Sequence, residues 1–255
     1  MLLTIDIGNT HTVLGIYQGE SLLAHWRLTS ANSKTEDEVF ALFAFFCEQK
    51  NIDIRKIDGI IISSVVPEQT PVYARMGENY FSIKPFDVSA HLDTGLKILY
   101  DNPFAVGADR ICNAVAGLHK YGGPIVVVDF GTATTFDCVS ANAEYLGGLI
   151  MPGIETASID LHKRAAKLPK VDLTFPDKLI ATNTSDSMRA GIMFSAVDGV
   201  DGILRRLKKE MGEKTKIVGT GGLAHVIVEK SELLKIVEPH MVLEGLRLIY
   251  ERVKK

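Results

Sequence analysis

The sequence predicts two α/β domains of related fold, on three features of the 255-residue chain. The first is a repeated turn. "TIDIGNT" at residues 4–10 and "VVDFGTATT" at 127–135 both follow a β-branched run, and both set an Asp two residues before a Gly. The second is a repeated order of elements: three strands, a helix, then a further strand. The third is composition, with 46% hydrophobic and 23% charged residues, which suits a globular chain long enough to bury a substantial core.

In the first half, strands are expected over "LLTIDIGN", "HTVLGIYQ" and "ESLLAHWRLT", with tight turns at Gly8–Asn9 and Gln18–Gly19. Thr35 with Glu38 three residues later forms a capping box, which opens the helical pattern "EVFALFAFFCEQ" ending near Asn51. "GIIISSVV" (59–66) is a continuous apolar run of strand length, as in a strand buried on both faces. Pro67 suits the first turn of a helix running to about Tyr80, and "SIKPFDVS" reads as extended. "LYDNPFAV" reads as a loop, and "ICNAVAGLHKY" has helical spacing.

The second half gives strands over "PIVVVDFG", "TTFDCVSA" and "EYLGGLIMPG", then a helix over "IETASIDLHKRAAKL" and a loop holding Pro169 and Pro176. A long helix from about Ser187 to Met211, a strand "KIVGTGG" and an amphipathic helix "VLEGLRLIYERV" complete it. At an offset of 123, Asp6 meets Asp129, Gly8 meets Gly131 and Thr12 meets Thr135. Glycines and Pro124 in "HKYGGP" (119–124) mark the boundary, giving domains over 1–118 and 119–255.

A net charge of −3 provides no basic field for nucleic acid or anionic lipid, so neither is expected as a partner. The basic run "LRRLKKEMGEKTK" (204–216) contains Glu210 and Glu213 and reads as a solvated helix end. Cys47, Cys112 and Cys138 are odd in number, far apart and without a CxxC pair, which indicates neither a disulfide framework nor a zinc site. No leader pattern or long apolar run is read, so no membrane association is expected and a cytoplasmic location is the simplest.

The chemistry lies in the turns. Small-residue turns expose backbone N–H groups that cradle phosphate oxygens. Asn9, Thr10, Thr132, Thr134 and Thr135 add neutral donors. Gly8 and Gly131 are expected where a Cβ would crowd those oxygens or forbid the backbone conformation. Aspartates beside a phosphate would repel it unless a divalent cation lies between, as magnesium does in nucleotide sites. "GTGG" (219–222) follows a strand but matches neither GxGxxG nor a P-loop. "GADR" (107–110) puts Asp109 in the first turn of a helix beside Arg110. Two readings stand there: helix-start electrostatics worth about 0.3–1 kcal/mol, or a carboxylate that accepts a hydroxyl proton beside an arginine that binds an anion.

Taken in this order and at these spacings, "DIGNT", "GADR", "DFGTATT", "GGLIMPG" and "GTGG" closely resemble the type III pantothenate kinase family, over essentially the whole chain. That family belongs with acetate kinase, sugar kinases, heat-shock chaperone ATPases and actin. The resemblance implies duplicated ribonuclease H-like domains with mixed β-sheets flanked by helices, a nucleotide cleft between them, and a homodimer. It implies ATP-dependent phosphorylation of pantothenate, the first step of coenzyme A biosynthesis. It assigns Asp6, Ile7, Gly8, Asn9, Thr10, His11, Thr12, Val13, Thr132, Gly219, Thr220, Gly221 and Gly222 to ATP, with Asp6 also near its Mg2+. Tyr100, Gly107, Ala108, Asp109, Arg110 and Thr184 are implied for pantothenate, Asp109 as catalytic base, and Asp129 for a monovalent cation, K+ or NH4+. A kinase of the same superfamily acting on a sugar or short-chain acid, and a non-catalytic ATP-binding protein, are the alternatives.

Overall fold

A computed structural model describes residues 1–30 and 34–254. It divides into two compact units, one of Met1–Ala116 together with the chain from Met241 onward, the other of Gly117–His240. The first unit holds strands β1 (Leu2–Ile7), β2 (His11–Gln18) and β3 (Ser21–Thr29), helix α1 (Glu36–Gln49), strand β4 (Gly59–Ser64) and helix α2 (Thr70–Phe81). Short strands β5 (Phe86–Asp87) and β6 (Lys97–Ile98) follow, and the start of α3 (Ala108–Tyr121). The second unit holds β7 (Ile125–Phe130), β8 (Ala133–Val139), β9 (Glu144–Pro152), α4 (Ile154–Arg164), α5 (Thr184–Met211), β10 (Lys216–Thr220) and α6 (Ala224–Ile227). Helix α7 (Met241–Val253) returns to the first unit.

The first sheet runs β3-β2-β1-β4-β5, with β1 antiparallel to β2 and parallel to β4. Leu3, Ile5 and Ile7 point into a core with Val39 and Phe43 of α1 and Tyr73 and Met76 of α2. Strand residues alternate between faces, so Thr4 and Asp6 lie on the opposite face. Helix α7 covers that face: Leu243 approaches Gly15 beside Thr4, and Tyr250 lies over Gly59. Burial on both faces is why "GIIISS" reads as unbroken apolar sequence.

The second unit repeats this plan. Its strands run β10-β7-β8-β9, β7 is antiparallel to β8 and parallel to β10, and a parallel bridge from Gly219 to Val237 continues past β10. Val126, Val128 and Phe130 meet Met188, Ile192 and Met193 of α5 in its core. β1 and β7 share one burial pattern, residue for residue. Both second strands carry an irregularity at the same place, between Ile16 and Tyr17 and between Cys138 and Val139. The duplicated ribonuclease H-like α/β architecture is therefore present in backbone detail.

Several expectations change in the structure. Asp6 pairs with Val13, whereas Asp129 pairs with Thr135, because the second turn is one residue shorter. Thr12 therefore corresponds to Thr134, both buried, and not to Thr135. The first two hairpin turns are centred on Asn9–Thr10 and Gly19–Glu20, one residue later than read. Helix α2 starts at Thr70, with Pro71 rather than Pro67 in its first turn. Helix α5 starts at Thr184, three residues early, because Asn183 caps it by accepting from Asp186 N at 2.9 Å. The Thr35–Glu38 capping box is formed as read. The C-terminal helix, read with the second half, packs on β1 and β4 of the first unit. Gly245 permits this, since a Cβ there would lie 2.1 Å from the Cys112 carbonyl of α3.

Candidate active site

In the first unit, the Gly8 N–H donates to the His11 carbonyl at 3.0 Å and closes a turn in which Asn9 and Thr10 are exposed. Within the implied ATP-binding run, the Ile7 side chain lies in the core and the buried Thr12 hydroxyl is 3.0 Å from that of Ser30. Val13 is half-buried opposite Asp6, while His11 is exposed at the turn. Asp6, one residue before the end of β1, accepts from the Ser63 hydroxyl at 3.0 Å.

Helix α3 begins at Ala108 and carries Asp109 in its first turn. The Asp109 Oδ1 accepts from the Arg110 backbone N–H at 2.8 Å. Gly107 makes room for that carboxylate, because a Cβ there would lie 2.5 Å from the same oxygen. Burial pushes the Asp109 pKa above the usual carboxylate value, opposed by the Arg110 N–H and the Arg110 charge. Arg110 is itself buried. One turn further on, the fully buried Cys112 thiol feels both Asp6 and Asp109 and contacts Ser63. Burial first, and then those two carboxylates, hold this thiol protonated. Asp6, Ser63, Asp109 and Cys112 thus form one group on the α3 side of the first sheet. A half-buried carboxylate of raised pKa at a helix start suits proton acceptance.

In the second unit, Thr132 alone spans the turn, which the Gly131 N–H closes on the Ala133 carbonyl at 3.1 Å. The turn rests on the start of α4: Thr156 Oγ1 donates to the Thr132 carbonyl at 2.7 Å. A Cβ on Gly153 would meet that carbonyl at 2.2 Å, so the last glycine of "GGLIMPG" lets the helix start approach the turn. Gly221 has φ +89°, and a Cβ there would lie 2.4 Å from Asp129 Oδ1 and 2.7 Å from the Phe130 carbonyl. "GTGG" therefore packs against the end of β7, with Thr220 buried at the end of β10 and Gly222 open. Neither Gly8 nor Gly131 adopts a left-handed φ. A Cβ on Gly8 would meet the His11 carbonyl at 3.0 Å, while one on Gly131 would meet nothing closer than 3.6 Å. Neither backbone strain nor a steric clash accounts for Gly131.

Residues 2–206 match the family model described as type III pantothenate kinase. A curated relative from Geobacillus sp. (strain WCH70), named type III pantothenate kinase, is 46% identical over 252 residues, covering 99% of this chain and 98% of its own. This chain belongs to the type III pantothenate kinase family. In fold it is also similar to the activator of the 2-hydroxyisocaproyl-CoA dehydratase from Clostridium difficile, with TM-score 0.57, 13% identity, and 99% and 95% of the two chains covered. A ROK hexokinase from Thermus thermophilus gives TM-score 0.54 at 15% identity, with 99% of each chain covered.

Among the other positions marked by likeness to type III pantothenate kinases, Tyr100 is exposed in the loop before the short helical turn Pro103–Ala105. Thr184 is exposed as the first residue of α5. Sequence reasoning missed Ser63, which it took only as part of an apolar strand. The available signal was register: Ser63 stands beside Asp6 as Thr220 stands beside Asp129, each a hydroxyl on the adjoining parallel strand.

Proposed function

We propose that this chain transfers the γ-phosphoryl group of ATP to the primary hydroxyl of pantothenate, giving 4'-phosphopantothenate for coenzyme A biosynthesis. An identity of 46% over nearly the full length of a curated type III pantothenate kinase carries this reading. Asp109 acts as base: it takes the hydroxyl proton as the hydroxyl oxygen bonds to the γ-phosphorus and the bond to the β–γ bridging oxygen breaks, releasing ADP. Its burial supports the role by raising its basicity. Arg110, Gly107, Ala108, Tyr100 and Thr184 bind pantothenate. The Gly8–His11 turn, Thr132 and the 219–222 turn bind ATP.

Among the described residues, no group of three or more His, Cys, Asp or Glu side chains could hold a metal ion. Magnesium carried by the nucleotide needs only one or two protein carboxylates, and Asp6, held by the Ser63 hydroxyl, would supply one. Held there, such an ion would supply neutralisation of phosphate charge during transfer. A monovalent cation is assigned to Asp129 on the likeness of "DFGTATT" to the family motif, and the Asp129 carboxylate would offer it a hard oxygen donor. A homodimer and a cytoplasmic location complete the proposal. The burial of Cys47, Cys112 and Cys138 is compatible with a reducing compartment. Among the described residues, no helix is long and apolar enough to cross a membrane.

The test is ATP consumption with and without pantothenate, in potassium and in sodium. Pantothenate-dependent turnover that is faster in potassium is expected, and Asp129→Ala should abolish the potassium stimulation. ATP consumption indifferent to pantothenate would overturn the substrate assignment. Light scattering should give twice the 27.9 kDa chain mass.

A further inference from the structure

We propose that Ser63 is a positioning residue for phosphoryl transfer, its hydroxyl fixing the orientation in which Asp6 meets the magnesium–nucleotide complex. This rests on the kinase reading and adds a residue to it. Parallel pairing of β1 with β4 places Ser63 directly beside Asp6, and its Oγ donates to Asp6 Oδ1 at 3.0 Å. Ser63 is fully buried, so solvent does not compete for its hydroxyl. The preceding residues of β4 are Ile60, Ile61 and Ile62. A hydroxyl at the end of such a strand costs free energy unless it is bonded, and Asp6 provides the bond.

Fixing one carboxylate oxygen fixes the plane of the group and so the direction of its charge. The neighbouring Cys112 thiol cannot substitute, because a protonated thiol is a weak donor. The duplication supports the assignment independently. In the second unit the register position beside Asp129 is again a hydroxyl residue, the buried Thr220. Each repeated motif thus has two parts: an Asp near the end of the first strand, and a hydroxyl on the parallel strand next to it. Thr220 also shows that the extra methyl of threonine fits a strand end of this kind.

The test measures MgATP binding by calorimetry on the full chain, alongside kcat and both KM values. Ser63→Ala should weaken MgATP about tenfold, near the lower end of what a hydrogen bond to a charged group is worth, with the pantothenate KM unchanged. Ser63→Thr should restore binding to within about threefold of wild type. Ser63→Cys keeps the volume and weakens the donor, so it should lose affinity as Ser63→Ala does; it also serves if the alanine variant fails to fold. In an Asp6→Ala background, Ser63→Ala should cost less than about twofold, as coupled residues require. Wild-type MgATP affinity in a folded Ser63→Ala or Ser63→Cys variant would overturn the proposal, as would an undiminished loss in the Asp6→Ala background. If the wild-type chain itself neither bound MgATP nor turned over pantothenate, the kinase reading would fail instead.

Discussion

Asp109 is a carboxylate held partly out of water, and two consequences follow. Its pKa is raised in the folded chain, so the protonated form is the one that the fold favours. That contribution to stability is fully present below the unfolded aspartate value of about 3.9 and is lost as pH rises through the higher folded value. At neutral pH the ionised side chain therefore costs stability. Asp109→Asn should melt at a higher temperature than wild type at pH 7, with the gap closing in acid, while kcat falls by about 10²–10⁴-fold. ATP affinity should stay within about twofold, since Asp109 lies outside the phosphate turns. Paired melting curves and single-turnover assays check this, and a variant both less stable and fully active would contradict the base assignment. In wild type, the acid limb of kcat/KM for pantothenate should lie above the ordinary aspartate range. Gly131 offers a second test, because a Cβ there meets nothing closer than 3.6 Å and no left-handed φ is involved. Gly131→Ala should leave the melting temperature nearly unchanged and lower ATP affinity; normal affinity would remove this turn from the nucleotide site.

The hairpins and helices set where those residues stand. Alternation along β1 sends Leu3, Ile5 and Ile7 toward α1 and α2, which leaves Asp6 on the face where α3 brings Cys112 and Asp109. Helix α3 is in turn backed by α7 through one glycine. Gly245→Ala would press a methyl into the Cys112 carbonyl, from which a Cβ would stand 2.1 Å away. Because the obstacle is backbone, one of the helices has to shift, at a cost of about 1–3 kcal/mol. Denaturant titration should show this loss. Turnover should fall by more than ATP binding, because the clash lies on α3, the helix that carries Asp109.

Across the whole molecule, the chain's final helix belongs to the unit in which the chain begins. Met241, Leu243, Leu246, Ile249 and Tyr250 are all buried there. Each such side chain is worth about 1.5–3 kcal/mol, so their sum rivals the 5–15 kcal/mol stability of an ordinary domain. A chain ending at His240 should therefore lack the cooperative melting of the first unit, although the second unit's sequence remains intact. Near-UV circular dichroism and thermal melting would test this. A truncated chain with wild-type melting would mean that α7 is dispensable.

The sequence by itself determined the duplication, the strand–turn motifs and the family. These features rest on local chemistry: period-two apolar runs, Asp-x-Gly turns and a capping box act within a few residues of chain. It also placed Asp109 in the first turn of a helix, because "GADR" borders a clear helical period. Tertiary structure decided the rest. The correspondence of Thr12 with Thr134 depends on a turn shortened by one residue, which only strand pairing reveals. The return of α7 to the first unit depends on a contact between Gly245 and Cys112, 133 positions apart in sequence. The meeting of Asp6 with Ser63 spans 57 positions. None of these leaves a local signature, because a parallel strand or a packed helix is chosen by the surface it buries and not by its neighbours in the chain.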